Sequence, residues 1–128
     1  MAFSHSHTKS VSTTDGQVSK TTTVSASQQI AIDEAIADSI TDDDIIMSLD
    51  FSACVSFYIV SDQDVTVETN DGTTPDDTLA LLADIPYIWH TGCYDTFLIT
   101  ADVTVLYITN ASGSTANISI RALIDATP

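Results

Sequence analysis

The chain has 128 residues, 18 of them acidic and three, Lys9, Lys20 and Arg121, basic, for a net charge of −15. A length of this order folds as one domain, burying roughly 65–70% of its unfolded-state surface, and does not divide into two independent cores. The charge repels a phosphate backbone and argues against nucleic acid as a partner. No apolar run approaches the ~20 residues of a bilayer span, so no membrane partner is expected.

The first 27 residues hold 13 Ser or Thr and only a few large apolar side chains, among them Phe3, Val11 and Val24. They read as an N-terminal arm, residues 1–27, ahead of a domain at 28–128. No signal-peptide apolar stretch occurs there, so export by that route is not expected. Asp15-Gly16 separates two hydroxyl-rich stretches in the manner of a two-residue hairpin turn, and the arm reads either as a flexible tail or as strands that pair against something else. Deployed across a neighbour or a larger surface, it would order there. From Gln29 to Ile40 the residues Ile30, Ile32, Ala35, Ile36 and Ile40 partly fit a helical face, while the initial Ile alternation fits a strand. Asp42-Asp43-Asp44 punctuates, and Ile45 to Asp50 reads as a strand.

Phe51 to Val60 is the clearest strand, with Phe51, Ala53, Val55, Phe57 and Ile59 on one face and Ser52, Cys54, Ser56, Tyr58 and Val60 on the other. Val65 to Asn70, Thr78 to Leu82 and Ile85 to His90 follow as shorter strands. Val103 to Thr109 and Ala116 to Ile124 read as a final hairpin joined by Asn110 to Thr115. Seven or eight short strands at near-regular spacing define an all-β chain, a β-sandwich or jelly-roll-like domain with an extended N-terminal arm.

Few residues offer chemistry. Imidazole bases are limited to His5, His7 and His90, and neither a Gly-x-Ser-x-Gly elbow nor another nucleophile signature occurs; Cys93 three residues after His90 reads as an incidental loop pair. The acid clusters Asp42-Asp43-Asp44, Asp62 with Asp64, and Asp71 with Asp76 and Asp77 do not match a calcium loop and read as turn caps. His5-Ser-His7 would point two imidazoles to one side of an extended chain, and in a trimer three such pairs would surround an axis. Asn110-Ala-Ser112 and Asn117-Ile-Ser119 satisfy the glycosylation sequon but read as turn and strand-edge residues. Trp89, Tyr87 and Tyr94 read as core or subunit contact in preference to a sugar platform. Cys54 and Cys93 fit one bridge or two free thiols. Arg121, alone among carboxylates, is expected to make a bidentate pair. No catalytic, cofactor-binding or metal-ligating residue is assigned, and an enzyme is not expected.

Residues Tyr58 to Pro128, through the runs YIVSDQDVTVETNDGTTPDDT, ADVTVLYITNASG and IRALIDATP, resemble a group of small virion proteins of tailed bacteriophages, similar to capsid decoration or cement proteins. The likeness covers a little over half the chain, and the arm has no counterpart in it. The resemblance implies a β-sandwich or jelly-roll subunit, often a homotrimer, seated on the major capsid protein of an assembled shell. Its location would be the capsid surface of the virion, after assembly in the host cytoplasm. Each copy carries −15, so charge opposes association, and apolar packing with main-chain strand pairing must hold any trimer. Rival readings are a tail, neck or fibre subunit, a carbohydrate-binding module using Trp89 and Tyr87 with calcium-loaded acidic loops, and, least supported, a hydrolase.

Overall fold

Alternating apolar residues build most strands of the sandwich. The structure, a computed structural model, describes residues 2–125; Met1 and residues 126–128 of the expected domain lie outside them. Ten strands follow in order: β1 (Phe3–Thr13), β2 (Gly16–Ala26), β3 (Gln28–Ile36), β4 (Ile40–Leu49), β5 (Cys54–Ser61), β6 (Val65–Thr69), β7 (Thr78–Leu81), β8 (Tyr87–His90), β9 (Val103–Asn110) and β10 (Ala116–Ile124). β1 and β2 form a separate hairpin. The other eight make two four-stranded antiparallel sheets, a front sheet in the order β3-β10-β5-β8 and a back sheet in the order β4-β9-β6-β7. The chain alternates between sheets at nearly every step, which is the connectivity of an eight-stranded jelly roll.

The core is one cluster between the sheets. Ile118, Ile120 and Ala122 of β10 and Phe57 and Ile59 of β5 meet Val67 of β6, Leu106 and Ile108 of β9 and Met47 and Leu49 of β4. Each strand contributes alternate residues, as the pleat requires. The segment beginning at Gln29 is strand, not helix: the pleat turns Ile30, Ile32 and Ile36 inward while Gln29, Ala31, Asp33 and Ala35 face out, and β3 is an edge strand bonded only to β10.

Several expectations are corrected. The segments 103–109 and 116–124 are not hairpin partners. β9 pairs with β4 and β6, β10 pairs with β3 and β5, and the two strands lie in opposite sheets. The inner face of β10 is apolar and so is that of β9 up to Asn110, and facing across the core buries both, whereas side-by-side pairing would not bring them together. The crossing is held by Asn110, whose buried side chain donates to the carbonyls of Ile36 (3.0 Å), Ala37 (3.2 Å) and Ser114 (2.8 Å) and accepts from the Ser112 amide and hydroxyl. A side chain so enclosed is out of reach of a glycosylating enzyme in the folded protein. Asn117, by contrast, is exposed and pairs with Asp62.

The strand expected from Phe51 begins instead at Cys54, after a 3-10 turn at Phe51–Ala53 capped by the Asp50 carboxylate. A bulge at Val55 shifts the register, since Leu123 pairs with Ser56 but Ile124 pairs with Cys54. Cys54 thus turns into the core, opposite to the face that simple alternation assigns it. The strand expected from Ile45 starts earlier, at Ile40, and runs through the three aspartates with broken register and with Asp42 at a φ of 54°. At the tip of the first hairpin the two loop residues are Thr14 and Asp15, one position earlier than expected, and Gly16, at a φ of 135°, already pairs with Thr13.

Both cysteines are free, Cys54 buried and Cys93 half-buried. Burial pushes the Cys54 thiol up to about 11, which leaves little thiolate at neutral pH. In the native protein a disulfide reagent is expected to titrate one thiol per chain promptly, at Cys93, and the second only on unfolding; two equally fast equivalents would contradict this burial.

Candidate functional site

The arm folds back on its own subunit. β1 and β2 pair over their whole length, from Phe3 with Ala26 to Thr13 with Gly16, so alternate residues sort onto two faces. One face carries Ser4, Ser6, Thr8, Ser10 and Ser12 opposite Ser25, Thr23, Thr21, Ser19 and Gln17, laced by hydroxyl pairs such as Ser6 with Thr23 and Thr8 with Thr21. The other face carries Phe3, His5 and His7, and its base lies on the outer surface of the front sheet. There the register brings Ser56 opposite His90, Tyr58 opposite Ile88 and Leu123 opposite Ser56. Leu123 and Ala26 are buried apart from the main core, as residues beneath a lid would be.

All three histidines of the chain meet at this seam. His5 Nδ1 and His7 Nε2 each lie 2.8 Å from Ser56 Oγ, and His5 Nε2 lies 3.3 Å from Gln29 Oε1. His7 stacks on His90, with ring centroids 4.6 Å apart and planes 28° apart, and meets His5 edge-on at 6.1 Å. A hydroxyl offers one proton and accepts in return, so Ser56 can donate to one imidazole and accept from the other when both rings are neutral. The environment favours that state. Desolvation lowers the His5 pKa below its usual 6.5, assisted by the Arg121 charge and opposed by the Gln29 bond. Desolvation likewise lowers His7, reinforced by His90, His5 and Lys9.

Arg121 closes the other side of the same groove, which it lines with His5, His7, Tyr58 and Ile88. Its guanidinium donates to both carboxylate oxygens of Asp33, at 3.2 and 3.0 Å, and to the carbonyls of Ile32 and Ile120. Those bonds hold the Asp33 carboxyl below the ordinary carboxylate range. The pair spans β3 and β10, so it fastens the edge strand rather than presenting a free cation.

Chemically the seam is a latch. Ser56 is fully buried beneath the hairpin, so its hydroxyl, though flanked by two imidazoles, has no approach for a substrate carbonyl. Two of the acid clusters are occupied in turns, where Asp71 accepts from the Thr73 and Thr74 amides, Asp62 from Asn117, Asp64 from the Ala83 amide and Asp77 from Thr100, whereas Asp42-Asp43-Asp44, expected as a turn cap, lies within β4. Although the three histidines adjoin, among the described residues no group of three His, Cys, Asp or Glu is arranged to hold a metal ion. Trp89 lies parallel to Phe97 at 4.2 Å and abuts the core, while Tyr87 accepts from the Leu98 amide and Tyr94 stands fully exposed elsewhere; the three do not form a stacking platform.

Sequence reasoning placed His5 and His7 on one side of an extended chain, and they are. It did not reach Ser56, Gln29 or His90 as their partners, because those contacts span 24 residues or more and depend on the register of β5 with β8. No protein-family model, curated protein or solved structure matches the chain.

Proposed function

We propose that the protein is a virion structural protein that binds the outer surface of a tailed-phage capsid as a homotrimer and stabilises it. The resemblance of Tyr58 to Pro128 to phage virion proteins carries this reading. Two features are in keeping with it. The domain is an all-β sandwich whose prominent buried polar groups serve structure, and a hairpin of 11-residue strands, about 36 Å long at the usual strand rise, reaches past the body that anchors its base. A protein that reinforces a shell needs rigidity, solubility before assembly and a docking surface, and this chain has a closed core and a charge of −15 that keeps free copies apart.

Imaging of intact particles at a resolution that traces the chain is the direct test. Density for the sandwich on the outer shell, in threefold clusters, is the expected result. Density confined to the tail, neck or fibres would replace this reading with its nearest rival, and absence from particles would end both.

A further inference from the structure

The hairpin face that docks on the front sheet does not end where the sheet ends. Beyond His7 it continues as the cross-strand pair Lys9 and Lys20 and then the cross-strand pair Val11 and Val18. Val11 is 63% and Val18 70% exposed. Two cations directly opposite one another weaken a hairpin, and a two-stranded ribbon in water is marginal without a surface to lie on. Lys9 and Asp95 line one surface groove with Tyr87 and Ile88 of β8, yet the one ion pair among the described residues is Arg121 with Asp33. The arm is also the one basic part of the chain: it holds two lysines and one aspartate, while 17 acids and a single arginine lie from Asp33 onward.

A complementary surface exists on the opposite side of the sandwich. On the outer face of the back sheet, register places Asp44, Tyr107 and Glu68 side by side in one row across β4, β9 and β6. Two residues along, Ile46 and Val105 form the next row, and Ile46 is 75% exposed. The hairpin therefore offers a cation row and an aliphatic row about 6.6 Å apart, and the back sheet offers an acid row and an aliphatic row at the same spacing. Lysine stems are long enough to reach the carboxylates on either side of Tyr107, whose ring adds a face for an ammonium group. A hairpin fixed to the front sheet cannot reach the back sheet of its own subunit, because the two outer faces point in opposite directions.

We propose that the distal hairpin of one chain seats on the outer face of the back sheet of a second copy, with Lys9 and Lys20 on Asp44 and Glu68, and Val11 and Val18 on Ile46 and Val105. The contact joins two different surfaces, so it propagates from copy to copy and closes into a ring where the rotation permits, a trimer at 120°. It rests on the self-association part of the proposed function and needs no shell.

Sedimentation of the full-length chain across a concentration series tests it. Wild type is expected to self-associate, and K9E/K20E to weaken association about tenfold or more. D44K/E68K is the decisive variant. It lowers the net negative charge, so general repulsion predicts tighter association, whereas loss of this contact predicts weaker association. Placing both sets in one chain should restore assembly. V11S/V18S should weaken association with no change in charge, and none of the six substituted sites is buried, so circular dichroism should match wild type. A monomeric wild type, or D44K/E68K associating as tightly as wild type, overturns the proposal. A chain that passes these tests but does not bind shells would leave the contact standing and overturn the shell reading alone.

Discussion

Lowering the pH from about 7.5 to about 5.5 is expected to release the β1–β2 hairpin from the front sheet while the sandwich stays folded. The docked state holds His5 and His7 with pKa values below the usual 6.5, chiefly through desolvation, so the undocked hairpin binds more protons. Docking stability then rises with pH in this range: it is fully present above 6.5 and is lost as the pH falls through that value toward the docked pKa. The charged and titratable groups facing the pair reinforce the sign. His90 stacks on His7 from β8, Arg121 of β10 lines the same groove with Tyr58 of β5, and Lys9 follows on β1. Asp33, the carboxylate bonded to Arg121 beside this groove, is already engaged by that guanidinium. Protonation also removes the acceptor that the Ser56 hydroxyl requires. Amide hydrogen exchange, corrected for intrinsic rates, should show protection in β1 and β2 falling on acidification while protection in β5 and β10 holds. H5Q/H7Q, which keeps polar side chains at both positions, should flatten the pH dependence. A hairpin equally protected at both pH values would show that the histidines pack without gating.

Replacing Asn110 with Ala is expected to cost roughly 3–4 kcal/mol and to lower the thermal midpoint by on the order of 10 °C. Asn110 is wholly buried and supplies partners to three carbonyls and to Ser112 where β9 leaves the back sheet and the end of β3 passes the 110–115 loop. Alanine leaves those groups desolvated and unpaired, which is the costly case. Asn117 is the natural control. Its pairing with Asp62 is exposed, so N117A should lose about 1 kcal/mol or less. Equal losses at the two asparagines would mean that the buried network does not hold the crossover, and thermal or denaturant unfolding distinguishes the outcomes.

What the sequence made legible follows from how local each cause is. Alternation fixes which residues of β5, β6, β9 and β10 point inward, and turn residues fix where the strands stop, so the all-β sandwich could be read directly. Sheet membership could not, because 103–109 and 116–124 look like a hairpin by spacing and become members of opposite sheets only when their inner faces meet across the core. The bulge at Val55 is equally silent: nothing in Cys54-Val55-Ser56 marks an extra residue, and its effect is to reverse Cys54. At the seam, the common side of His5 and His7 follows from period two alone. Their convergence on Ser56 and His90 depends on where the hairpin folds back, and the hydroxyl-rich composition of the arm fits a loose tail as well as a docked ribbon.

Only Ser27 separates β2 from β3, so the hairpin is joined to the sandwich by the shortest of couplings. Any pull on the tip passes through that joint into an edge strand held to the sheet by β10 alone, starting at the pair of Gln28 with Ile124. The load arrives at one end of a nine-pair ladder and opens it pair by pair, with the Arg121–Asp33 clamp standing midway along the tear. Mechanical failure of an anchored subunit should therefore begin with peeling of β3 and halt at that clamp, leaving the rest of the sandwich intact and free to recapture the strand when tension falls.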